Sequence, residues 1–214
     1  NQTKNIIGNV PVVQIANAVP QYKEIANLNE KRIICIGRVD GKQKRQHLLI
    51  EAFAQISSDY PEWTIDIYGD KSFDKKYYNL CVSLIDEYNL SKQIKFCGIS
   101  DNINKKIMSS SIFAFPSSYE GFSLALAEAL SLGVPAVGYK SCPGTNEMII
   151  DRENGFLIDD GIETFAEALK KLMSNDALRK RMGVNAKESM KISAPDIIWD
   201  KWEQLLLKTT EMDL

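Results

Sequence analysis

Between residues 32 and 159 the chain repeats one unit, a short apolar run followed by a stretch with apolar residues every third or fourth position. The short runs are RIICI (32–36), TIDIY (64–68), IKFCG (94–98), SIFAFP (111–116), PAVGY (135–139) and GFLID (155–159). Most are continuous apolar or β-branched runs rather than strict alternations, which suits strands buried on both faces. Between them, RQHLLIEAFAQI sets Leu48, Leu49, Ala52, Phe53 and Ile56 on one helical face, and YYNLCVSLIDEY does the same with Leu80, Leu84, Ile85 and Tyr88. Residues 103–108 make a shorter helix, and the helix in SLALAEALSLGVP stops at Gly133 with Pro135 close behind. An Asn-Gly turn (Asn154–Gly155) precedes the last run. Such alternation requires parallel strands with right-handed crossovers. The expected fold is α/β: Rossmann-like and doubly wound, a mainly parallel six-stranded sheet with helices on both faces. Three helices follow, over roughly 163–173, 176–190 and 196–208. The last carries Ile198, Trp202 and Leu205 on one stripe. Residues 10–20 (VPVVQIANAVP) read as a short strand leading into a polar connector.

Composition excludes some functions. With 26 Lys and Arg against 28 Asp and Glu, the net charge is −2, which argues against a dedicated nucleic-acid binder. The run RKRMGVNAKESMK (179–191) reads as an exposed helix face, with contact to anionic lipid as the alternative. The four cysteines (Cys35, Cys81, Cys97, Cys142) have no paired spacing suited to zinc and suggest a reducing, cytosolic compartment. A single histidine, His47, cannot build a Ser-His-Asp triad or a multi-histidine metal site and reads as a helix-face residue. Trp63, Trp199 and Trp202 read as packing residues. No apolar run approaches the ~20 residues of a membrane span, and no signal peptide opens the chain. The first residue is Asn1 rather than Met, which suggests a fragment.

In open parallel sheets, ligands bind beyond the carboxyl ends of the strands. Three segments with unusual chemistry fall there: GRVDGKQKRQ (37–46), YGD (68–70) and PSSYEGFSLALAE (116–128). Arg38 and Lys44 converge on a helix entrance, where two cations and the helix dipole attract a phosphate. The plainer reading puts Lys42, Lys44 and Arg45 in water. In the third segment Gly121 permits close backbone approach, and Gly121, Phe122 and Ser123 present unpaired N–H groups at a helix start. Glu120 stands just before that start and Glu128 two turns inside, with directions roughly 80° apart. Acids beside a phosphate site suit hydrogen bonds from sugar hydroxyls. Against a solvated Glu128, its neighbours Leu124, Ala125, Ala127, Ala129, Leu130 and Leu132 form an apolar surface.

On these residues the chain resembles the retaining glycosyltransferases of the GT-B type, family 4 (also called group 1). The match runs over roughly 31–160: Gly37-Arg38, then Lys44 and LLIEAF; then PSSYEGFSLALAEALSLGVPAV with its Glu-x7-Glu motif; then NEMIIDRENGFLID. The resemblance implies the nucleotide-sugar-binding, C-terminal domain of a two-domain enzyme. Gly37, Arg38 and Lys44 would hold the donor diphosphate. Glu120 would contact the transferred sugar as the catalytic positioning and electrostatic residue. Gly121, Phe122, Ser123 and Leu124 would contact sugar and phosphate, and Glu128 the ribose. The loops after IYGD and IKFCG would frame the base. No essential metal or other cofactor is implied; the donor substrate is a UDP- or GDP-linked sugar.

The domain boundaries expected on this basis are 1–30, the end of an acceptor-binding N-terminal domain plus linker; 31–190, the donor domain; and 191–214, a helix that crosses to the missing domain. A sugar or glycolipid acceptor would enter through that missing domain, and the fragment alone would bind donor weakly without turnover. The expected role is surface polysaccharide or glycolipid synthesis in the cytoplasm, with peripheral contact of the full-length enzyme at the inner membrane face as a further expectation. Two alternatives stand beside it, a nucleotide-sugar epimerase of the same architecture and a non-catalytic nucleotide-binding subunit.

Overall fold

The computed structural model describes residues 12–212. Six strands form one sheet: β1 (Arg32–Ile36), β2 (Thr64–Tyr68), β3 (Ile94–Gly98), β4 (Ile112–Phe115), β5 (Ala136–Tyr139) and β6 (Gly155–Ile158). Their order is β3-β2-β1-β4-β5-β6, and every pairing is parallel. Helices α1 (Gln46–Ala54), α2 (Lys75–Glu87), α3 (Ile103–Met108), α4 (Leu124–Ser131) and α5 (Thr145–Met148) connect them. Helices α6 (Ile162–Met173), α7 (Asp176–Ser189) and α8 (Pro195–Met212) close the chain. This is the expected doubly wound α/β fold.

Alternate strand residues feed two cores. Ile33, Cys35, Ile65, Ile67, Val137 and Tyr139 point to one face and bury against Leu49 and Phe53 of α1, Cys81 of α2 and Phe165 and Leu169 of α6. Ile34, Phe113, Phe115 and Ala136 point to the other face, against Leu126, Ala127 and Leu130 of α4. Apolar burial on both faces explains why the central strand runs lack alternation, whereas β3 at the sheet edge exposes Lys95 and Cys97.

Several local expectations need correction. The α2 face turned inward is Tyr77, Cys81 and Ile85, while Leu80 and Tyr88 are exposed. The Tyr77 hydroxyl, bonded to both the backbone N–H and the ring of His47, fixes the rotation of that helix. In the turn before β6, the left-handed residue is Arg152 (φ 64°), not Gly155. Arg179 is not part of an exposed basic face. It is fully buried, ion-pairs with Asp176, and donates to the carbonyls of Leu28, Leu172 and Met173. Trp63 is buried as expected, but Trp199 and Trp202 are 65% and 43% exposed, and of their stripe Ile198 is the residue sunk in the core.

No strand forms over residues 12–20; the rest of that expected strand lies outside the described residues. The segment is nevertheless no plain connector. Val19, Ala26 and Leu28 are buried under α4, and the N–H groups of Val19, Ala26 and Asn27 donate to the carbonyls of Ser193, Leu132 and Met108. Among the described residues no helix is long and apolar enough to cross a membrane.

Candidate functional site

The strand order reverses between β1 and β4, so the loops that leave their carboxyl ends diverge and open a crevice. Those loops are 37–45 and 116–123. In the first, the Asp40 carboxylate accepts from the N–H groups of Lys42 and Gln43, and Gln46 ties the loop to α1 through the Arg38 carbonyl. The N–H of Gly37 is occupied by the Tyr68 carbonyl at 3.0 Å, and a side chain there would collide with the stem of Lys44. Gly37 therefore makes room for Lys44 rather than offering an amide.

Lys44 crosses the crevice. Its Nζ lies 2.6 Å from a Glu120 carboxylate oxygen, with the two side chains only 14% and 8% exposed. The amine also sits over the Phe115 ring at 5.3 Å. The water-exposed alternative for Lys44 is thus excluded. Arg38 remains exposed; it donates to Gln43 Oε1 at 2.8 Å and lies over Phe73 at 4.6 Å. The Gln43 amide in turn donates to the carbonyl of Tyr119, the residue before Glu120. Arg38, Lys44 and Glu120 are accordingly linked within one cluster.

Glu120 itself is anchored by its N–H to the Pro143 carbonyl at 3.0 Å. That contact depends on Gly144, whose φ is +78° and where a Cβ would overlap the carbonyl oxygen of Gly121. A Cβ at Gly121 would meet nothing, so this position faces open space. The Ser123 hydroxyl caps α4 by accepting from the Leu126 N–H. The N–H groups of Gly121, Phe122 and Ser123 donate to no described residue, which leaves three donors open at the start of α4.

Glu128 sits apart from that cluster. It is half-buried on α4 near Tyr22, whose hydroxyl accepts from the Asn104 amide, and burial raises its carboxyl above the usual value. A cleft of about 480 Å³ takes in Glu120, Gly121 and Phe122 together with Gly144 and Glu147; Arg38, Lys44, Leu124 and Glu128 do not line it. That volume lies within the range of small-molecule sites, roughly 300–1,000 Å³.

Two residues escape the sequence reading. Arg45 has a left-handed backbone (φ 49°), and its guanidinium donates to the carbonyls of Pro116 and Ser117 at 2.9 and 3.0 Å while covering the Tyr139 ring. Gly144 is the other. The Pro-Gly pair at 143–144 was a usable turn signal, whereas nothing in a basic run marks Arg45 as a clamp on main-chain carbonyls.

A family model described as "Glycosyl transferases group 1" matches residues 20–189. An exopolysaccharide phosphotransferase of Streptomyces coelicolor is 32% identical over 89% of this chain, and the match covers 20% of that protein. The N-acetylgalactosamine-N,N'-diacetylbacillosaminyl-diphospho-undecaprenol 4-alpha-N-acetylgalactosaminyltransferase of Campylobacter jejuni is 30% identical over 84% of this chain and 47% of its own length. Among solved structures, Staphylococcus aureus TarM, crystallised with fondaparinux, alpha-GlcNAc-glycerol and UDP, superposes with a TM-score of 0.81 at 25% identity. That superposition covers 95% of this chain and 42% of TarM. The chain thus spans less than half the length of each of these proteins.

Proposed function

The chain belongs to the glycosyl transferases of group 1, and on that premise we propose that it is the donor-binding domain of a retaining GT-B enzyme. The donor is a UDP-linked sugar, in keeping with the UDP in the TarM complex. The reaction breaks the bond between the anomeric carbon and the diphosphate and joins that carbon to an acceptor hydroxyl with its configuration kept. The remainder of the enzyme, matching the uncovered length of the relatives, supplies the acceptor site. Relatives that act on polysaccharide and undecaprenol-linked acceptors support a role in surface-glycan assembly.

The observation that carries this reading is the Lys44–Glu120 contact across the switch point, beside free amide N–H groups at the start of α4. In it, Lys44, Arg38 and those amides receive the charge that grows on the departing diphosphate. Preorganised donors of this kind stabilise a developing anion without a metal ion. Glu120 accepts from sugar hydroxyls and faces the positive charge that develops on the ring. Glu128 accepts from the ribose hydroxyl pair.

Calorimetric titration with UDP tests the reading. Binding at micromolar to millimolar UDP is expected, weakened in Lys44→Ala by roughly 10- to 100-fold, the equivalent of a charge-assisted contact. Absence of binding by UDP and GDP at millimolar concentration, or equal affinity in the variant, overturns it.

A further inference from the structure

The charge balance of the Glu120 cleft selects among sugars, an inference that rests on the donor-site reading above. Among the described residues, the charged side chains that line the cleft are Glu120 and Glu147; the others, Asn17, Phe122, Met148 and Met190 among them, are neutral, and no described Lys, Arg or His lines it. Glu120 is already matched by Lys44 from outside the lining. Glu147 is exposed in the first turn of α5, and among the described residues no cation pairs with it. Met148 and Met190, 7% and 4% exposed, provide an apolar floor for the C–H face of a ring or an acetyl methyl.

A sugar carboxylate brought into such a cleft loses hydration without gaining a counter-charge from the described lining. It also meets the negative field of Glu147. The unpaired amides at the start of α4 do not relieve this, because they serve the diphosphate. We propose that the transferred sugar is uncharged, a hexose or N-acetylhexosamine, and that Glu147 excludes hexuronic acids from the site.

Titration of UDP, UDP-glucose, UDP-N-acetylglucosamine and UDP-glucuronate into the chain and into its Glu147→Gln variant tests this. The two neutral sugar nucleotides are expected to bind at least as tightly as UDP, and UDP-glucuronate at least about tenfold more weakly than UDP-glucose. In Glu147→Gln, whose exposed position leaves the fold undisturbed, that gap should narrow by at least about threefold. A smaller gap in the parent, or one that the substitution leaves unchanged, overturns the inference while UDP binding keeps the donor site standing. If UDP itself does not bind, the donor-site reading fails and this inference falls with it.

Discussion

The guanidinium of Arg45 donates through Nε to the Pro116 carbonyl at 2.9 Å, fastening the loop after β1 to the loop after β4. Arg45 is also the residue before α1, held at φ 49°, a conformation that costs a side-chain-bearing residue about 1 kcal/mol or more. One residue thus turns Lys44 toward the crevice and holds the chain that leads to Glu120.

Backbone and guanidinium can be separated by substitution. Arg45→Gly relieves the backbone cost and deletes the clamp, whereas Arg45→Ala deletes the clamp alone. Both should weaken UDP binding, and urea unfolding should find the glycine variant about 1 kcal/mol more stable than the alanine variant. Alanine equal to or above glycine would show that the left-handed turn carries no cost.

Removing one partner of the Lys44–Glu120 pair strands a largely buried charge. Lys44→Ala or Glu120→Ala alone should lower unfolding stability by roughly 1.5–3 kcal/mol. The double variant should lose clearly less than the sum of the two. Additive losses in a double-mutant cycle would show that the contact contributes nothing to the folded state.

Glu128 gives a pH signature. Burial raises its carboxyl pKa in the folded protein, so between the ordinary and the raised value the folded state binds more protons than the unfolded chain. Stability from this group therefore declines as pH rises through that window and stays reduced above it. Glu128→Gln should be more stable than the parent at neutral pH, with the gain vanishing below about pH 4, while its UDP binding weakens. Denaturant melts at both pH values check the first part, and calorimetry checks the second.

His47 runs the opposite way. The Tyr77 hydroxyl accepts the His47 backbone N–H and lies 2.8 Å from the ring Nδ1, which holds the imidazole against α2. Burial first, and then Arg45, lowers its pKa. The unfolded chain takes up this proton near about pH 6.5, so stability should fall as pH drops below that value. The loss should be smaller in His47→Gln, and an imidazole NMR titration should find a midpoint below the ordinary histidine value.

The sheet was legible because strands buried on both faces write themselves as unbroken apolar runs. The loops with the chemistry were legible because Arg38, Lys44 and Glu120 stand directly after such runs. What stayed hidden depends on long side chains and distant partners. Arg45 and Arg179 sit in basic runs that look solvated, yet each is spent on main-chain carbonyls contributed by other segments. The inward face of α2 was hidden because a tyrosine hydroxyl, not the larger aliphatic side chains, sets its rotation. Val19, Ala26 and Leu28 are too widely spaced to form a recognisable pattern, although all three are buried.

The strap formed by Val19–Leu28 bears on how this protein can be dissected. Trimming at Lys31 would bare the apolar outer side of α4, leave the Leu132 carbonyl without its N–H, and take from the Arg179 guanidinium the Leu28 oxygen to which two of its nitrogens donate. The smallest piece that keeps its shape in a test tube therefore begins upstream of Val19.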